Sequence, residues 1–90
     1  MRIRRSHDFG IDEARRRIDE VAAELEERFS LTTKWQGDNL AISGTGIKGH
    51  VTVTDHTVEL FLKLGFALAI MEGPIRSAIE QNLDDHLQQR

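Results

Sequence analysis

Between Leu31 and Leu64 the chain holds a period of two, and this limits the available folds more than any other feature. Leu31 to Gln36, Asn39 to Ser43, Ile47 to Thr54 and Thr57 to Leu64 each read as a strand with one buried face. The breaks between them are Gly37-Asp38-Asn39, Gly44-Thr45-Gly46 and Asp55-His56. All are turn-forming, and all are too short for a crossover, so the four strands must run antiparallel to their neighbours. In the last of them Val58, Leu60, Leu62 and Leu64 point one way while Glu59, Phe61 and Lys63 point the other. The sheet therefore has one dry face and one mostly wet face.

Two helical stripes supply the cover for the dry face. Ile11, Ala14, Ile18, Val21, Ala22, Leu25 and Phe29 recur at three- and four-residue spacings, and Ile75, Ala78, Ile79, Asn82, Leu83 and Leu87 do the same. The outer side of the first helix carries opposite charges four apart at Asp12/Arg16, Glu13/Arg17, Arg16/Glu20 and Glu24/Arg28. Such pairs contribute only ~0.2–0.5 kcal/mol each, so this charge run reads as a solvated face and not as a phosphate grip. Gly73-Pro74 looks like the N-cap and first position of the second helix. Before it, Phe66, Leu68, Ile70 and Met71 follow Gly65 with no charge among them.

Arg2 to Phe9 reads as a further strand, with Ile3, Arg5, His7 and Phe9 on one side and Arg2, Arg4, Ser6 and Asp8 on the other. The first helix returns the chain to begin the meander, which sets the first strand beside the fifth. The predicted fold is one α+β domain over residues 1–90: a five-stranded antiparallel sheet of order 1-5-4-3-2 (β-α-β-β-β-β-α) with both helices on one face. Thr32, Lys34, Thr52, Thr54, Phe61 and Lys63 are left on the open side.

Composition removes several function classes. With no cysteine there is no disulfide framework, thiolate nucleophile or thiolate metal site. The basic start, Met1-Arg-Ile-Arg-Arg, lacks a following apolar region, and no stretch reaches the ~18 apolar residues of a membrane span; the cytoplasm is the expected location. A net charge of -3 argues against global attraction to nucleic acid, although Arg2, Arg4, Arg5, Arg15, Arg16 and Arg17 can form a local basic patch.

The candidate chemical motifs dissolve on inspection. Gly44-Thr45-Gly46-Ile47-Lys48-Gly49 matches the dinucleotide fingerprint G-x-G-x-x-G, but its third glycine leads into Val51-Thr52-Val53-Thr54, a β-branched run where the fingerprint needs a helix. It reads as a hairpin, with Gly49 a bulge or a site of close packing. His7, His50, His56 and His86 do not converge at metal-ligand spacing. His7 alternates with Ile3 and Phe9 and reads as a structural histidine. Glu80, Asp84 and Asp85 line an exposed helix with no enclosing pocket, and Ser6, Ser30, Ser43 and Ser77 lie in no nucleophile motif. Trp35 reads as a cap over the core edge. No catalytic, cofactor or metal residue is expected, and the chain reads as a non-enzyme.

A series of marks runs through nearly the whole chain. Ser6-His7 and Gly10 mark the first strand, and Ala14-Arg15 lies in the first helix. Trp35-Gln36-Gly37-Asp38, Gly46-Ile47-Lys48-Gly49 and Leu64-Gly65-Phe66-Ala67-Leu68 follow, and then Ile75 to Leu83. Together they resemble the small proteobacterial polyhydroxyalkanoic acid system, or granule-region, proteins. The resemblance implies a role near storage granules of poly(3-hydroxyalkanoate), by partner or granule-surface binding, with no catalytic residues to carry over. An alternative is a reduced helix-grip protein holding an acyl or hydroxyacyl chain between helix and leucine face, which requires a cavity approaching ~300 Å³.

Leu64 to Met71 is the least polar stretch, and 100° helical steps spread its large side chains too widely for all to face a thin core. Phe66 and Met71 are the expected exposed pair. Phe61, from the open sheet face, is expected to join them in a patch for a second copy of the chain or for a granule-bound partner.

Overall fold

The turns dictate the architecture. A computed structural model describes residues 1–87, so the last three residues of the predicted 1–90 domain lie outside it. The elements are β1 (Arg2–Ser6), α1 (Ile11–Phe29), β2 (Thr32–Gln36), β3 (Asn39–Gly44), β4 (Ile47–Val53), β5 (Thr57–Leu64), α2 (Phe66–Ala69) and α3 (Glu72–Leu87). The sheet has the order β1-β5-β4-β3-β2, and every neighbouring pair is antiparallel. Both the predicted class and the placement of the first strand beside the fifth are found.

Alternation decides which side of the sheet is covered. Val58, Leu60 and Leu62 of β5 are buried, as are Val51 and Val53 of β4, Leu40 and Ile42 of β3, and Ile3 of β1. They form one core with the inner stripes of α1 (Ala14, Ile18, Val21, Ala22, Leu25) and α3 (Ile75, Ile79, Leu83, Leu87). Fully burying one such side chain is worth ~1.5–3 kcal/mol, and nearly all of that gain lies on this side of the sheet.

Three local features refine the reading. β1 ends at Ser6, although the His7 N–H still reaches the His56 carbonyl at 2.8 Å. Beyond it the chain turns away from the sheet, because the Phe9 N–H bonds to the His7 ring and not to a strand. α3 begins at Glu72, ahead of the expected Gly73-Pro74 start, and its first turn bonds the Ile75 N–H to the Met71 carbonyl at 3.0 Å. Pro74 fits there because the N–H it lacks would have no partner in a first turn. The G-x-G-x-x-G stretch is the β3–β4 hairpin: Gly44 pairs with Ile47, and Gly46 sits at φ 77°. A Cβ on Gly49 would lie 2.0 Å from the Phe61 carbonyl oxygen, so close strand packing explains that glycine.

Candidate docking surface

α2 is built on the turn that precedes it. The Gly65 N–H donates to the Gly46 carbonyl at 2.7 Å, tying the end of β5 to the β3–β4 hairpin. The Gly65 carbonyl then accepts from Leu68 and Ala69, both at 3.0 Å, and closes one helical turn. Leu68 is the residue that faces inward: it is half-buried against the core, and a Cβ on Gly46 would come within 3.2 Å of its Cδ1. At 100° per residue, Phe66 and Ile70 each lie about 200° from Leu68, which turns both outward. Phe66 is 97% exposed, Ile70 89% and Met71 49%, and α2 contains no buried residue.

Phe66 and Met71 are exposed, as expected, and Ile70 is exposed as well. Ile70 stands four residues after Phe66 on the same side of the turn, a spacing that is visible in the sequence. Phe61 belongs to β5 and not to α2. It lies four residues before Gly65, about 13 Å away at the rise of a strand. Its ring is half-buried on the open sheet face, with the Arg2 guanidinium 5.7 Å from its centroid on one side and the His50 ring 5.6 Å away on the other.

The void between the helices and the sheet, lined by Ile18, Leu25, Leu60 and Leu83 among others, is ≈ 10 Å³, about one water and far from the ~300 Å³ a ligand needs. A separate groove of ≈ 330 Å³ lies open to solvent at the hairpin end of the sheet, lined by Gly44, Gly46, Lys48, Lys63 and Gly65 among others.

Several titratable groups take part in the packing and ion pairs of the fold. His7 is 2% exposed, and its Nδ1 accepts the Phe9 N–H at 3.2 Å, so its proton must sit on Nε2, which lies 3.0 Å from the Thr54 carbonyl. The ring stacks on Phe9, whose other partner is the Arg17 guanidinium 3.9 Å from the ring centroid. Arg5 binds Asp84 at 2.7 Å and Glu80 at 3.2 Å, tying β1 to α3 and occupying two of the carboxylates considered for acid–base work. The hydrogen bond to Asp84 holds the guanidinium pKa above its ordinary value. Hydrogen bonding to Arg16, and then to Arg17, lowers the Glu13 carboxyl to about 2. Trp35 is half-buried at the core edge, bonded through its indole N–H to Asp19 and covered by Arg15. His86 lies against Glu20 and Glu24 of α1, whereas His50 and His56 are exposed. Among the described residues no three metal-binding side chains are grouped to hold an ion, and no helix is long and apolar enough to cross a membrane.

Comparison with known proteins gives one match, to the family model described as "Putative polyhydroxyalkanoic acid system protein", over residues 1–87. No curated protein and no solved structure matches the chain. The family match takes in every strand and helix described above, from the arginine-bearing first strand through the Leu64-Gly65 joint to the last turn of α3. The chain belongs to the polyhydroxyalkanoic acid system protein family.

Proposed function

We propose that this protein is a non-enzymatic accessory of the polyhydroxyalkanoate storage-granule system, attaching through α2 to the granule surface or to a protein already on it. The observation that carries the reading is the outward projection of Phe66 and Ile70, 97% and 89% exposed, from a short helix and its C-cap in which only Leu68 packs against the core. A single helical turn adds little stability of its own, and leaving two such side chains in water forgoes roughly 1.5–3 kcal/mol each. An external apolar surface recovers that energy. One turn is far too short to span a bilayer, so contact is confined to an interface. Membership of the polyhydroxyalkanoic acid system family supports a granule setting. The acyl-binding alternative is not favoured by an interior void of ≈ 10 Å³.

Fractionation of cells grown with and without granules tests the proposal. The protein is expected in the granule fraction when granules are present and in the supernatant when they are absent. Recovery in the supernatant under both conditions contradicts it. A second copy of the chain would compete for the same patch, and sedimentation velocity over a rising concentration series reports that pairing separately.

A further inference from the structure

The open face of the sheet has a charge opposite to that of the whole chain. Its strand positions carry Arg2, Arg4, Lys34, Lys48 and Lys63 against one carboxylate, Glu59, in a protein of net charge -3 with 15 acidic residues. Arginines on the helical side are held by acids, as in Arg16 with Glu13 and Glu20 or Arg76 with Glu80. Lys34, Lys48 and Lys63 make no ion pair among the described residues. Lys48 and Lys63 stand directly opposite each other in the β4–β5 register, an arrangement of like charges that costs stability unless an anion lies between them.

That lysine pair is next to α2. Lys63 is two residues before Gly65 and Lys48 two after Gly46, and the Gly65–Gly46 hydrogen bond joins the two strands where α2 begins. The open groove of ≈ 330 Å³ lies in the same corner, lined by both lysines and three glycines. Exposed apolar side chains beside unpaired cations form the pattern of a segment that sits at a lipid–water boundary, with rings and branches in the acyl layer and ammonium groups at the phosphates.

We propose that this end of the molecule docks on an anionic phospholipid surface, with Phe66 and Ile70 inserted, Lys48 and Lys63 on headgroup phosphates, and the remaining cations of the open face adding attraction at longer range. The proposal rests on α2 as the docking segment and adds the charge of the surface it meets. A single-stranded nucleic acid fits less well. The open face offers two adjoining rings, Phe61 and His50, with the Arg2 guanidinium over Phe61, and so provides no extended row of stacking platforms. A nucleic acid also leaves Phe66 and Ile70 uncovered.

The test is co-sedimentation with vesicles of phosphatidylcholine alone and of phosphatidylcholine with about a third phosphatidylglycerol, at moderate salt. Wild-type protein is expected to bind the anionic vesicles at least about tenfold tighter than the neutral ones. Lys48→Gln with Lys63→Gln is expected to weaken anionic-vesicle binding about thirtyfold, at roughly fivefold per lysine. The same double variant melts at or above the wild-type temperature, since it relieves a like-charge pair, so weakened binding cannot be blamed on unfolding. Equal binding to both vesicles, or an unchanged lysine variant, overturns the lipid assignment and leaves the α2 reading to be judged by the granule fractionation. Tighter binding to a single-stranded oligonucleotide than to anionic vesicles overturns it in favour of nucleic acid.

Discussion

α1 and α2 are both rich in apolar residues, yet they do opposite things with them. In the 19 residues of α1, apolar side chains recur every three or four positions and five of them are buried; in the four of α2 they are contiguous and none is buried. A stripe can lie wholly against a sheet, whereas a contiguous apolar run on one turn points in every direction. Leu68 takes the side that faces Gly46, and Phe66 and Ile70 are left outside. Apolar content thus stabilises the fold in one helix and remains available for binding in the other, and spacing makes the difference.

Substitution at equivalent chemistry should expose that contrast. Ile18→Asp places a carboxylate at a site 1% exposed in α1 and is expected to abolish cooperative unfolding, since several kcal/mol is most of the stability of a domain this small. Phe66→Asp, the same change of character in α2, is expected to leave the melt intact. A cooperative melt for Ile18→Asp near the wild-type temperature would remove the basis of the comparison. A smaller effect is expected at Leu68, the inward residue of α2. Leu68→Ala should cost about 1–2 kcal/mol in urea unfolding, less than a fully buried leucine because Leu68 is only half-buried. No loss at all would mean that α2 is not seated on the hairpin.

The smallest effect belongs to the outer face of α1. Because Arg16 and Arg17 lower the Glu13 carboxyl to about 2, its contribution to stability is complete above the ordinary carboxylate range and is lost as the pH falls through about 2. The Glu13 side-chain carbon shift should titrate with that low midpoint. The stability difference between wild type and Glu13→Gln should shrink in high salt, because these pairs are exposed. An ordinary midpoint would show that the ion pairs on this face do not persist in solution.

Much of this molecule can be read from its residues, for reasons that differ along the chain. The strand order follows from turns of two or three residues, which permit only antiparallel neighbours, and from one helical crossover, which sends β1 to the far edge. The end of β1 was less legible because alternation records burial and not pairing: His7 is buried and Phe9 half-buried after the ladder has ended. The start of α3 at Glu72 is not legible because Gly73-Pro74 suits an N-cap and N1 as well as it suits the interior of a first turn. At the candidate site, the exposure of Phe66 and Met71 follows from helical geometry. Ile70 is equally legible, since it stands four residues after Phe66 on the same side of the turn; what the sequence does not show is that Leu68, by packing against Gly46, takes the inward side. The flanking of Phe61 by Arg2 and His50 depends on the strand register, which the sequence does not reveal. The basic open face was hidden by the net charge, which averages it with the carboxylates of the helices.

The central claim is that the outward side chains Phe66 and Ile70 serve binding and not folding, and the double variant Phe66→Ser with Ile70→Ser tests it most directly when melting and granule co-sedimentation are measured on the same preparation. The account predicts stability within ~0.5 kcal/mol of wild type, as for surface substitutions, together with loss of most of the granule-bound fraction. A variant that is clearly destabilised yet sediments with granules as the wild type does would contradict it.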